Sequence, residues 1–328
     1  MKQAFNKILD KGAKLKGSSI SNLLTLAEIY SMVMLALFTA LAIIYRGSLD
    51  NAIYWIAYNV LISIVIYCVA KIDGLSVLGK YFRLFRRLYT VLIVFFIYSQ
   101  AQVYIRIVNP ELYDEYLIRW DYSIFGIHPT YFFGKFSNPY LTEYLQFAYF
   151  TFFFMPVSLG LELYLSKRDR EFDNLVGIIV FSFFFSYLMY FFMPAIGPRF
   201  TLHNYHAIGI EMPGLFLTDF FRNFVDSGGG IPPGIASPEL FVNRDCMPSG
   251  HTWITLVNIY IAYKYKAKTR TVYLVLGFSL IISTIYLRYH YVVDVFAGIF
   301  FAVITLLIEP KIHSFYVKLK NKTKRIKK

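Results

Sequence analysis

The chain has 328 residues, of which 57% are hydrophobic, 20% aromatic and only 16% charged, with a mean hydropathy of +0.50. That balance excludes a disordered or collagen-like chain, and two cysteines exclude a disulfide scaffold. A net charge of +13 would fit a nucleic-acid binder in a soluble chain, but an oily chain places its cations for another reason, and no nucleic-acid partner is expected.

A helix needs about 20 apolar residues to cross the hydrocarbon core of a bilayer. In chain order such segments fall at roughly 23–45, 52–70, 88–105, 143–165, 174–194, 250–263, 271–287 and 291–309. The first is longer than a signal-peptide core and no small-residue cleavage site ends it, so it reads as an uncleaved anchor. Cys68 falls in the second segment and Cys246 in the loop before the sixth. They read as separate small residues rather than a disulfide. The sixth segment is short and opens inside Pro248-Ser249-Gly250-His251. There is no internal repeat and no linker of the kind that separates soluble domains. The expectation is an all-α polytopic membrane protein of about eight transmembrane helices.

Orientation follows from the cations, because short cytoplasmic loops carry an excess of Lys and Arg. With the N-terminus inside, 25 of the 33 fall on the cytoplasmic side, beginning with Lys2, Lys7, Lys11, Lys14 and Lys16 and ending with eight from Lys311 to Lys328. Eight remain outside: Arg46, Arg106, Arg119, Lys135, Arg199, Arg222, Arg244 and Arg288. The alternation predicts both termini in the cytoplasm of a plasma (inner) membrane protein. The Lys-rich tail reads as a solvated positive-inside signal.

Two long loops lie on the outer side, 106–142 and 195–249. The first interleaves Trp120, Tyr122, Phe125, Tyr131, Phe132, Phe133 and Phe136 with polar residues and reads as an interfacial aromatic belt. The second holds Gly228-Gly229-Gly230 and Pro232-Pro233-Gly234, which break helices, and is open to two readings, a lid or a connector.

The cations that stay outside need individual reasons. The topology sets Arg199, His251, Arg288, His290 and Asp294 on the outer face at similar depth, with Arg244 just before the sixth segment. On a helix His290 and Asp294 share a face, so the carboxylate can take one imidazole proton and leave the other nitrogen as a base or nucleophile. Ser249 and Gly250 open a helix whose free amides favour an anion. Arginines supply forked donors for phosphate oxygens. Two histidines, an orienting carboxylate and several arginines suit phosphoryl transfer through a phosphohistidine. A metal site has little behind it, with no H-E-x-x-H and only His203 and His206 close in sequence, so no metal or cofactor is expected.

The elements Pro248-Ser249-Gly250-His251 and His290-Tyr-Val-Val-Asp294, with Ala297-Gly298 behind the second, resemble the type 2 phosphatidic acid phosphatase (PAP2) superfamily, relatives of the vanadium haloperoxidases. The resemblance implies a six-helix PAP2-type core within residues 88–310, behind two N-terminal transmembrane helices in 1–87 and ahead of a basic tail at 311–328, all in one membrane domain. It implies His290 as the nucleophile, Asp294 as its orienting partner and His251 as the acid that protonates the leaving alkoxide. Ser249 and the Gly250 amide would hold phosphoryl oxygens. The first family motif is incomplete: Arg199 is present, Phe192 stands in place of its Lys, and Phe200 in place of its Pro. The third motif carries Ser283-Thr284 in place of Ser-Arg. Arg288, one helical turn past Thr284, is expected to substitute as a phosphate donor, and Arg244 for the missing Lys. These departures, with Asp121, Phe125, Gly126 and Pro129, resemble the inositol phosphorylceramide synthase-like branch.

The expected activity is cleavage of a lipid phosphate ester, with water or a lipid hydroxyl as acceptor. The substrate is then a lipid phosphate or phospholipid, and the acceptor decides between phosphatase and headgroup transferase. A transporter reading has only Asn59 and Asn258 inside the segments, which fit helix–helix glue better. A catalytically dead scaffold would not need His251, His290 and Asp294.

Overall fold

The computed structural model describes residues 23–74 and 79–325, and among these every regular element is helical. Lys2 to Lys16 of the charge count and the last three residues of the tail lie outside the described residues. Each of the eight apolar segments becomes helix. The first three are α1 (Leu26–Ile44), α2 (Ala52–Gly74) and α3 (Gly79–Val108). The first long loop folds into α4 (Asp114–Phe125) and α5 (Pro129–Gly134). The fourth segment breaks into α6 (Pro139–Phe150) and α7 (Met155–Leu165), and α8 is Asp169–Met189. The second long loop contains α9 (Pro198–Thr201), α10 (Ile208–Glu211) and α11 (Thr218–Gly228). The chain then forms α12 (Gly250–Lys264), α13 (Arg270–Tyr286) and α14 (Val292–Arg325).

Five helices, α1, α2, α3, α8 and α14, are long and apolar enough to cross a membrane, and the bent pair α6–α7 makes a sixth if it counts as one span. The protein is therefore an all-α polytopic membrane protein. The fourth segment bends by 57° because Pro156 enters the first turn of α7 with no amide to donate back to α6. At 15 and 17 residues, α12 and α13 fall short of a full span. Their neighbouring residues at 249 and 287–291 are drawn into turns that carry the site. The basic tail is helical through Arg325, since α14 continues past Pro310, and Lys318 and Lys322 on it are exposed. Tyr316 there donates to the Leu24 carbonyl at 2.6 Å.

The chain forms two compact units, one of residues up to Ala101 with Val176–Phe184 and the segment from Leu307, the other of Gln102–Leu175 and Phe185–Leu306. In the first, Leu35, Phe38, Ile66 and Ile97 are fully buried. Arg86 is buried there among acceptors: Glu28 at 2.6 Å, Asp73 at 2.7 Å and the Leu23 carbonyl at 2.6 Å. Tyr89 also donates to Glu28, at 2.8 Å. A buried guanidinium is tolerated only when its donors are met in this way. Gln100 donates to Asn59 at 2.7 Å, the helix–helix role expected of that asparagine.

The second unit holds the site. Its core includes Leu117, Ala195, Cys246, Tyr291 and Val293 in one cluster and Leu145, Tyr149, Met212, Tyr286 and Leu287 in another. Trp253 on α12 is fully buried, stacks on Phe301 of α14 and donates to Thr305 at 2.9 Å. Gly298 admits the α12 start against α14: a Cβ on it would lie 2.6 Å from the Ser249 carbonyl oxygen.

Candidate active site

Two chain turns carry the histidines. Ser249 caps α12, its hydroxyl accepting from the Thr252 amide at 3.3 Å, and its own amide donates to the Asp294 carbonyl at 3.0 Å. His251 follows in the first turn of α12. Gly250 was expected to admit a ligand to the backbone. In the structure its missing Cβ makes room for the Tyr190 hydroxyl, which a Cβ would meet at 2.4 Å.

The other turn departs from the sequence expectation. α13 stops at Tyr286 and α14 starts at Val292, so His290 lies ahead of the helix that holds Asp294, and Arg288 lies outside the helix that holds Thr284. Arg288 adopts φ 67°, which ends the continuous helix assumed for it. The Tyr289 and His290 amides both donate to the Thr284 carbonyl at 2.9 Å, closing the turn. Asp294 then meets His290 across the α14 N-terminus, not along a helix face.

At this turn His251, His290 and Asp294 converge. His290 Nε2 lies 3.4 Å from His251 Nδ1, and His290 Nδ1 lies 3.5 Å from Asp294 Oδ2. The Tyr291 amide donates to the same carboxylate oxygen at 2.9 Å. Asp294 is fully buried and His290 nearly so. A carboxylate beside Nδ1 holds the proton there and leaves the Nε2 lone pair facing His251.

Cys246, read from sequence as a small residue of no particular role, is the unforeseen member. Its thiol donates to Asp294 Oδ2 at 2.8 Å and lies 3.5 Å from His290 Nδ1. Burial, with Asp294 adding to it, pushes the Cys246 thiol well above its ordinary range, so it remains a donor at neutral pH.

Two rings, Tyr289 and Tyr149, stand between Arg199 and His251. The Arg199 guanidinium lies 5.0 Å from the Tyr289 ring centre and 4.8 Å from that of Tyr205. Tyr289 stacks on Tyr149 at 4.4 Å, and Tyr149 stacks on His251 at 4.5 Å. Asp226 of α11 grips Arg199 with both carboxylate oxygens, and Tyr205 donates to Asp226 at 2.8 Å. Burial opposes the Arg199 charge, but Tyr289 and Asp226 outweigh it and raise its pKa. Arg288 is paired with Glu211 of α10. In both arginines the buried Nε has no hydrogen-bond partner.

Arg244 is placed differently. Its side chain donates to the Pro110 carbonyl at 2.6 Å and its amide to Gln102 at 2.9 Å, so its bonds run away from both histidines. His203 and His206, the thin metal candidates, also part company: His203 bonds Thr130 at 2.9 Å and His206 the Ala236 carbonyl at 3.0 Å.

Two buried carboxylates from α4 hold the histidine turn in place: Asp121, which stands out in the sequence by resemblance, and Asp114, which does not. Asp121 accepts from the Val292 and Val293 amides at 3.0 and 2.9 Å, which caps α14. Asp114 accepts from the Ile196 and Gly197 amides at 3.0 and 2.8 Å and from the Tyr291 hydroxyl at 2.9 Å, tying the Arg199 loop to the same turn. Gly126 ends α4 in the left-handed region, and Pro129 starts α5.

A family model described as the PAP2 superfamily matches residues 115–308, the stretch that contains α4 to α13 and the first half of α14. No curated protein and no solved structure gives a significant match. The matched stretch is more than half of the chain and includes Arg199, Ser249, Gly250, His251, Arg288, His290 and Asp294. The chain belongs to the PAP2 superfamily.

Proposed function

We propose that this protein is a lipid-phosphate phosphatase that works through a phosphohistidine at His290 on the outer face of the membrane. Membership of the superfamily supports a phosphatase- or phosphotransferase-type lipid enzyme. The observation that carries the finer reading is the two-sided setting of His290, with Asp294 at Nδ1 and His251 at Nε2.

Chemistry follows from that setting. Nε2 attacks phosphorus, the ester P–O bond breaks, and the departing alkoxide takes a proton from His251. His251, now neutral, takes a proton from water as its oxygen attacks phosphorus and the P–N bond breaks. Phosphate leaves and His290 is regenerated. Asp294 holds the ring and offsets the charge it acquires. Arg199 and Arg288, each with an uncommitted buried Nε, serve as donors to phosphoryl oxygens, with Ser249 and the Gly250 amide completing the cradle. Arg244 has less behind that role, because the side-chain bond it makes goes to the Pro110 carbonyl. The excess of cations on the other set of loops supports an outward-facing site.

A headgroup transferase is the second reading. The α4–α5 segment behind the resemblance to inositol phosphorylceramide synthase supports it, since Asp121 caps α14 beside His290, while Gly126 ends α4 and Pro129 starts α5. The test is a product assay in mixed micelles with phosphatidate-type donors, with and without a hydroxylated lipid. Free phosphate released at a rate independent of the second lipid supports hydrolysis. Label appearing in the second lipid replaces it with transfer. Neither product from any donor overturns both readings.

A further inference from the structure

Cys246, His290 and Asp294 form a cluster of one thiol, one imidazole and one carboxylate, all buried, with their ligand atoms within 4.8 Å of one another. The separations are 3.5 Å for sulfur to Nδ1, 3.5 Å for Nδ1 to Oδ2 and 2.8 Å for sulfur to Oδ2. Tetrahedral zinc, with Zn–S near 2.3 Å and Zn–N or Zn–O near 2.0 Å, sets nitrogen and oxygen about 3.3 Å apart and sulfur about 3.5 Å from either. Two of the three separations already meet that, and the third needs to open by roughly 0.7 Å. The donor set, soft sulfur with imidazole and one carboxylate, favours zinc over magnesium or calcium.

We infer that this cluster is an inhibitory zinc site built into the catalytic dyad. Zinc takes the place of the thiol proton, which leaves to solvent, and binds sulfur, Nδ1 and Oδ2, with water free to fill the fourth position. Ligation at Nδ1 obliges the neutral ring to carry its proton on Nε2. That removes the lone pair proposed to attack phosphorus, and it takes Asp294 from its orienting role. Catalysis needs no metal in this scheme, so zinc here is a switch and not a cofactor. The binding half depends only on the geometry, whereas the inhibitory half rests on His290 being the nucleophile.

The protein has two cysteines, so a Cys68→Ser background leaves Cys246 as the sole thiol. Detergent-purified full-length protein in that background is loaded with Zn²⁺, or with Co²⁺ as a spectroscopic stand-in, and compared with the same protein carrying Cys246→Ser or Cys246→Ala. The expected result is one metal per chain, a thiolate-to-cobalt charge-transfer band, and loss of phosphate release that EDTA restores. In the Cys246 variants the band vanishes. Each variant's activity, read against its own zinc-free value, needs at least about tenfold more zinc for the same fractional loss, the scale on which even an outer-shell partner counts. Failure of the Cys246-only protein to bind zinc at micromolar concentration, or cobalt bound without the thiolate band, overturns the site. Zinc bound with the band while phosphate release continues unchanged overturns the inhibition and the role of His290 together. If no phosphate is released under any condition, the proposed function fails, and the band still decides the site. Should the Cys246 variants fail to fold, the band and metal content of the Cys246-only protein decide it alone.

Discussion

His290 Nε2 and His251 Nδ1 face each other at 3.4 Å, one ring contributed by the turn before α14 and the other by the first turn of α12. The pair is placed by backbone bonds between the two starts, the Ser249 amide donating to the Asp294 carbonyl at 3.0 Å. In the proposed mechanism one ring is the nucleophile and the other the proton donor, and substitutions should separate the two roles. His290→Ala should abolish turnover. His251→Ala should cost about 10²–10⁴-fold with an alkyl phosphate ester, the usual scale of general acid–base catalysis. With a p-nitrophenyl ester, whose leaving group needs no proton, the first step should be largely spared and burst kinetics should appear. Equal losses in the first step on both esters would remove His251 from the acid role.

The Arg199 guanidinium lies 4.8 and 5.0 Å from the Tyr205 and Tyr289 ring centres and bonds both carboxylate oxygens of Asp226, contacts that suit a planar fork and not an ammonium. Arg199→Lys should therefore lower kcat/KM by about 10²–10³-fold, the range for loss of one transition-state donor. It should also weaken inhibition by orthovanadate in parallel. Arg288→Ala should cost on the order of a hundredfold, and Glu211→Gln much less, because Glu211 is the half-exposed partner and not the donor. Activity of Arg288→Ala near wild type would return the vacant third-motif place to some other residue.

Asp114 is a test of architecture. It is buried, accepts from two amides and a tyrosine, and joins the Arg199 loop to the histidine turn. Asp114→Ala should cost about 1.5–3 kcal/mol per charged hydrogen bond lost, seen as a large drop in thermal stability in detergent. Gly197→Ala should do likewise, since Gly197 has φ +94° and a Cβ there would come 2.7 Å from the Tyr289 carbonyl oxygen. Unchanged melting of both variants would mean that the loop is not anchored as described.

Burial, followed by the nearby Arg288 charge, lowers the His203 pKa to about 4. An unfolded histidine titrates near 6.5, so between these values the unfolded chain binds the proton and the folded chain does not. This group's contribution to stability is complete above about pH 6.5 and is lost as pH falls toward 4. Melting temperature should fall across that window, and His203→Gln should flatten this part of the profile. A profile identical in wild type and variant would assign the acid sensitivity to other groups.

Much of this was legible in the sequence because bilayers impose length and periodicity on helices. The eight apolar segments are all helical, and His251, His290 and Asp294 meet as their placement at segment mouths implied. Local breaks were less legible. Pro156 splits a segment that hydropathy reads as continuous, and the left-handed turn at Arg288 ends a helix that spacing alone would extend. Tertiary partners left no sequence signal: Cys246 beside Asp294, Asp226 on Arg199 and Glu211 on Arg288 come together only through the fold of the two long loops. Asp121 stands out in the sequence by resemblance, but its bonds to the α14 start do not. Aromatic composition points to a membrane belt and gives no sign of the bracing by Asp114.

A covalent phosphohistidine is tested by a rapid acid-free quench of protein mixed with a phosphate-labelled lipid ester, followed by peptide mapping of the label. Acid-labile, base-stable label is expected on His290, retained in the His251→Ala protein given an activated ester and absent from His290→Ala. Turnover with no label at His290, or label on another residue that survives His290→Ala, would contradict the phosphohistidine.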